Sequence, residues 1–221
     1  MPWPMVHFAI ATKVASSKPS PHFLLGSIAP DAIHMRNQIT REQKGITHLV
    51  SEGKFPSIET VRSHCLEYLS QHTERAWKEF VLGYFAHIYT DIRWTESVYA
   101  EFECHYKGDT ADIRTTYNRE VSQLEFDLLR SNSDYHQIFH HLQKSKPFTI
   151  VPFVTETEVR GHRDEKMSWL QDDRNEPKIQ PAYFTVEVAR DFVNQTANEL
   201  NALFMDWEIS LNIMSERSEL L

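Results

Sequence analysis

Apolar residues recur along most of this chain with the 3.6-residue period of an α-helix, and glycine, which would punctuate strands and turns, occurs only 6 times. The spacing predicts a short helix over 6–16 and another opening at Ser20-Pro21 and ending at Ala29-Pro30-Asp31, because proline suits a first helical position and disfavours α geometry in the residue before it. Residues 32–56 carry no clear period and read as loop with one short turn. Ser57 caps a helix whose stripe is Val61, Cys65, Leu66 and Leu69. A long central helix follows over 74–106, with one break allowed. Amphipathic spacing returns over 110–130, a short histidine-bearing helix over 134–143, a charged and solvated helix over 155–169, and a long terminal helix over 183–213. The run 148–154 is the one β-like stretch. The pattern predicts an all-α, single-domain multi-helix bundle spanning 1–221, with no repeat and no linker.

One line of the central helix breaks its own pattern. Phe80, Gly83, Tyr84, His87, Asp91, Trp94 and Val98 share a face that is otherwise apolar. His87 and Asp91 stand four residues apart on it, one turn from each other. An ionised carboxylate facing a core is costly unless something compensates it, and a metal ion held by imidazole and carboxylate would do so. Three more polar residues sit in apolar or turn surroundings: His7 beside Val6 and Phe8, Asp31 after Ala29-Pro30, and His48 within Ile46-Thr47-His48-Leu49. Each alone fits a hydrogen-bonded core residue or a turn. Together in one helical domain they need partners, and a shared metal supplies them.

Composition narrows the partners. The 221 residues are 41% hydrophobic and 12% aromatic, enough for one sizeable core. The formal charge of −8, from 23 Lys and Arg against 31 Asp and Glu, argues against nucleic acid and anionic membrane as general partners. Cys65 and Cys104 form no CxxC pair and no disulfide framework. The N-terminal residues lack a basic region followed by a long apolar run, and no stretch approaches the length of a membrane span, so a cytoplasmic protein is expected. Histidine is enriched at 12 residues. His34 lies three residues after Asp31, and His136 and His140 form an HxxxH, which makes these three further candidates. His22, His64, His72, His105 and His162 sit among polar neighbours and read as exposed.

Gly26-Ser27-Ile28-Ala29-Pro30-Asp31, Thr47-His48, and Gly83-Tyr84-Phe85-Ala86-His87-Ile88-Tyr89-Thr90-Asp91, in that order and preceded by His7, resemble the zinc-dependent phospholipase C family, which is related to the S1/P1 nucleases. The likeness covers roughly residues 5–95 and implies the all-α fold of the phospholipase C/P1 nuclease type. It implies that Asp31, His48, His87 and Asp91 ligate one metal, and that Asp91 bridges to a second that His7 also holds. It implies that Asp31 doubles as base or orienter of the attacking water. Secreted members of that family continue with a Pro-x-His and a later HxxxE. Here Trp94-Thr95-Glu96-Ser97 follows instead and no HxxxE comes after it, which reduces the expected count to one or two Zn2+ ions, or other divalent metals.

The expected function is a metal-dependent phosphoester hydrolase, with metal-activated hydroxide attacking phosphorus of a small phosphoester or a phospholipid. The rival readings are a non-catalytic metal-binding or structural helical protein and a nuclease-like phosphodiesterase.

Overall fold

The computed structural model describes residues 3–16, 18–131 and 135–209, with the side chains of 135–137 outside that set. The chain is all-α: α1 (Pro4–Val14), α2 (Pro21–Gly26), α3 (Arg41–Thr47), α4 (Ile58–Gln71), α5 (Arg75–Trp94), α6 (Ala100–His105), α7 (Ile113–Ser131), α8 (Tyr135–Lys144), α9 (Glu156–Leu170) and α10 (Val186–Asp206). Caps set several starts. The Ser20, Ser57 and Thr185 hydroxyls accept from backbone N–H groups three residues on, and Thr40 and Thr155 form reciprocal capping boxes with Gln43 and Glu158.

The long central helix is present, with its break taking the form of a π-helical turn at Thr95–Tyr99 between α5 and α6. Three expectations need correction. Residues 32–56 are not mainly loop, because a 3-10 segment at Ala29–Met35 and α3 occupy much of them. Both are short, α3 held by its capping box and the 3-10 segment by packing against α9 and α3, so they carry too few residues to show a period. Around 148–154 there is no strand: Ile150 and Val154 pair across a tight turn through a cis Val151-Pro152 bond. Helix α9 is not simply solvated, since it buries Val159, His162, Arg163, Met167 and Leu170.

Helix α5 is the hub, touching α1, α2, α4, α10 and the 3-10 segment. All of the helical line from Phe80 to Trp94 is buried. Its tightest neighbour is α2, where Gly26 and Gly83 face each other. A Cβ on Gly26 would strike the Phe80 carbonyl, and one on Gly83 would strike the Phe23 carbonyl. The two backbones meet because neither position carries a side chain.

A second tie fixes α1. The buried Glu125 carboxyl of α7 accepts from the Met5 N–H at 3.0 and 3.2 Å, satisfying an orphan donor at the helix start. Burial pushes that carboxyl up from its ordinary 4.5 to about 8.

Two predictions follow from these contacts. Gly83→Ala should cost about 3 kcal/mol or more, beyond ordinary overpacking because the obstacle is backbone, read as a lowered denaturant midpoint; an unchanged midpoint would refute the close crossing. Glu125 should make stability fall as pH rises. Below 4.5 it is protonated in both states, whereas between 4.5 and about 8 the unfolded chain ionises first while the fold retains the proton. Glu125→Gln should remove a component on the order of a few kcal/mol from that decline. Identical pH profiles for the two proteins would contradict this.

Candidate metal centre

The structure brings all five sequence-predicted residues together. His7 comes from the first turns of α1, Asp31 from the 3-10 segment after Pro30, His48 from the residue that ends α3, and His87 and Asp91 from the last two turns of α5. His7, His48, His87 and Asp91 are buried, while Asp31 keeps 19% of its side chain exposed.

Asp91 is the centre of the group. Its Oδ1 lies 3.6 Å from His7 Nε2, and its Oδ2 lies 3.4 Å from His48 Nε2 and 3.6 Å from His87 Nε2. Asp31 Oδ1 is 3.6 Å from His48 Nε2. The His7 and His87 rings stack with centroids 4.0 Å apart. These separations are too long for hydrogen bonds. They match the spacing of two ligands on one tetrahedral ion, since bonds of about 2.0–2.1 Å at about 109° place ligand atoms about 3.4 Å apart.

The tautomers point the same way. His87 Nδ1 lies 2.8 Å from the Ser27 carbonyl, which can only accept, so Nδ1 carries the proton. His48 Nδ1 faces the Lys44 carbonyl at 3.2 Å and the Thr47 hydroxyl at 2.9 Å, whose own hydrogen goes to Lys44 O. In the neutral rings both Nε2 atoms then present lone pairs, yet they stand 3.2 Å apart. Only a cation or a proton between them makes that contact favourable.

The orphaned atoms test the fit directly. Both His7 nitrogens, Asp31 Oδ1 and both Asp91 oxygens are buried without a hydrogen-bond partner. At roughly 1–3 kcal/mol each, five such atoms would cost as much as the whole net stability of an ordinary domain. A metal ion would remove most of that cost, because it can take every one of these atoms except the second His7 nitrogen. The ligand atoms fall into two overlapping groups, His7 with His87 and Asp91, and Asp31 with His48 and His87, and these buried groups could hold a metal ion.

Electrostatics keep His7 and the two carboxylates in their ligating forms, whereas His87 is drawn toward its protonated form and must release that proton to ligate. Burial, reinforced by His87, lowers His7 to about 3, so its ring is neutral. Burial pushes the Asp91 and Asp31 carboxyls up, but His87 and His48 outweigh it, with Lys44 adding to the effect at Asp31, and both are held below the usual carboxylate range. Burial lowers His87, and Asp91 beside it more than reverses the shift.

The further candidates divide. His34 stands at the rim, half exposed, 3.8 Å from Asp31 Oδ1. His140 is exposed on α8, and the His136 side chain lies outside the described residues. Tyr84 is core: its hydroxyl donates to the Thr47 carbonyl at 2.7 Å and so anchors the end of α3 beside His48.

His162 corrects the sequence reading. It is buried, both its ring nitrogens lack partners, and burial lowers it to about 3, with Asp31, Lys166, His34 and His87 close enough to contribute. The charge of 155–169 hid it. The usable signal was the face formed by Val159, His162, Arg163 and Met167.

Comparison with protein-family models, with curated proteins and with solved structures finds no match.

If metal compensates Asp91, chelation should destabilise the fold. Loss of an ion present at 1,000 times its Kd removes about 4 kcal/mol, or roughly 10 °C of Tm at this chain length. Asp91→Asn should abolish the difference between chelated and metal-supplemented protein. Equal melting temperatures of the wild type with and without chelator would contradict the centre.

Proposed function

We propose that this chain is a metal-dependent phosphoester hydrolase, with one or two divalent ions, zinc foremost, held by His7, Asp31, His48, His87 and Asp91. The observation that carries the reading is the set of buried, partnerless nitrogen and carboxylate atoms at ligand–ligand spacing with one edge open. A wholly closed set would suit a structural ion, whereas the partial exposure of Asp31 leaves an approach for substrate. Nitrogen and carboxylate donors without thiolate suit zinc and its neighbours in ligand preference. The ordered likeness of these residues to zinc-dependent phospholipase C supports the same chemistry.

Bound divalent ions would lower the pKa of a water to about 7 and neutralise phosphoryl oxygens. The protein's own residues supply the rest. Ser27 fixes the His87 ring through Nδ1, and Lys44 and Thr47 fix His48, so both Nε2 atoms are aimed before any ligand arrives. Asp91 offers one oxygen to the His7 side and one to the His48–His87 side, which suits a bridging role. Asp31, whose Oδ1 is buried 3.6 Å from His48 Nε2 while its side chain keeps an exposed part, orients the attacking water and takes its proton.

Among the described residues no helix is long and apolar enough to cross a membrane. The net charge of −8 favours small phosphoesters over long polyanions.

The test is turnover of p-nitrophenyl phosphate and bis(p-nitrophenyl) phosphate by metal-supplemented protein, with metal content measured alongside. Chelation should abolish hydrolysis and added zinc restore it, and Asp31→Asn should lower kcat by about 10²–10⁴. Stoichiometric metal with no hydrolysis of any phosphoester would instead make this a non-catalytic metal-binding protein.

A further inference from the structure

Asp31 is the one residue of the five that keeps an exposed part, and the surroundings of that edge are chemically lopsided. Asp31 Oδ1 lies between His48 Nε2 at 3.6 Å, His34 Nε2 at 3.8 Å and Lys44 Nζ at 3.9 Å. Two hollows reach its neighbours, one lined by His48 and the other by His34. The larger, of about 790 Å3, reaches His48 and is walled by Ile46, Val50 and Phe55. Its rim is balanced, with Arg41 and Lys44 against Glu42 and Glu52. The smaller, of about 420 Å3, is lined by His34, Arg36, Arg41 and Lys44 together with uncharged residues, and no carboxylate lines it. Arg41 and Lys44 stand between the two hollows and line both.

The basic groups of the smaller hollow differ in how far they are committed. Arg36 is held by Glu158 at 2.6 Å and by the Phe153 carbonyl at 2.8 Å. Lys44 leans on Asp31. Arg41 is exposed and makes no hydrogen bond or ion pair to the described residues. In a chain of net charge −8, a concave surface that gathers three permanent cations and no anion beside a candidate phosphoester centre is a departure from the average. A metal at the centre would neutralise the phosphoryl group that reacts, which leaves the uncommitted Arg41, with Lys44 and Arg36 beside it, for another one. Guanidinium and ammonium together suit phosphate, the first through its planar fork and the second as a point charge.

We propose that the hollow lined by His34, Arg36, Arg41 and Lys44 binds a second phosphate group of the substrate, so that the centre acts on small molecules carrying two phosphates, with the larger hollow taking the uncharged body. The substrate class rests on the hydrolase reading above, whereas the anion site itself does not.

Two measurements separate these layers. The first is calorimetric titration of inorganic phosphate into chelator-treated full-length protein, which removes any contribution from bound metal. One phosphate per chain should bind, and Arg41→Gln and Lys44→Gln should each weaken it tenfold or more with unchanged circular dichroism. No binding by the wild type, or equal binding by both variants, overturns the anion site. The second compares kcat/KM of metal-supplemented protein for propane-1,3-diol bisphosphate and propane-1,3-diol monophosphate. A preference of tenfold or more for the bisphosphate, reduced in Arg41→Gln, is expected. A ratio near one overturns the substrate class. Hydrolysis of neither compound overturns the hydrolase reading and the substrate class with it, while the phosphate titration still decides the anion site.

Discussion

Everything at the centre of this molecule follows from one buried negative charge. Asp91 sits in the last turn of α5 with no hydrogen-bond donor on either oxygen, and the imidazoles around it hold it ionised. An uncompensated carboxylate in such a place costs several kcal/mol, and this fold surrounds it with three ring nitrogens at 3.4–3.6 Å. Those rings are themselves short of hydrogen, because His48 and His87 donate outward to carbonyl groups. Lone pairs and carboxylate oxygens converge on shared points, and a cation is the group that satisfies them all.

The architecture reads as the means of holding that convergence. The glycine-on-glycine crossing of α2 and α5 draws the Ser27 carbonyl onto His87, and the residues just beyond α2 then deliver Asp31. Tyr84, one turn before His87, reaches the Thr47 carbonyl and fixes the end of α3, which supplies His48. Glu125 ties the start of α1, two residues before His7. Four of the five candidate ligands therefore sit beside a structural anchor, which is how binding groups acquire fixed geometry.

Much of this was legible in the sequence because long helices advertise their faces. The line from Phe80 to Trp94 stood out as apolar save for His87 and Asp91, and it is buried as that pattern requires. His7, Asp31 and His48 were found through their apolar or turn surroundings, and all three reach the same point in space. The two short elements between 29 and 47 were not legible. The 3-10 segment and α3 have too few residues to show a period, so 32–56 read as loop although it carries Lys44 and the approach to His48. His162 was missed for a different reason: charged neighbours at 160 and 163–166 masked a single inward face, and Arg163 itself is buried against the carbonyls of Leu142 and Ser145. Composition describes the average of a helix, whereas burial selects one side of it.

The central claim is that the five side chains hold metal, and elemental analysis of the purified full-length chain tests it most directly. The account predicts one or two divalent ions per chain, falling in His87→Ala, whose ring belongs to both ligand groups. Protein that folds, carries no stoichiometric metal and takes up none from a zinc-containing buffer would contradict it.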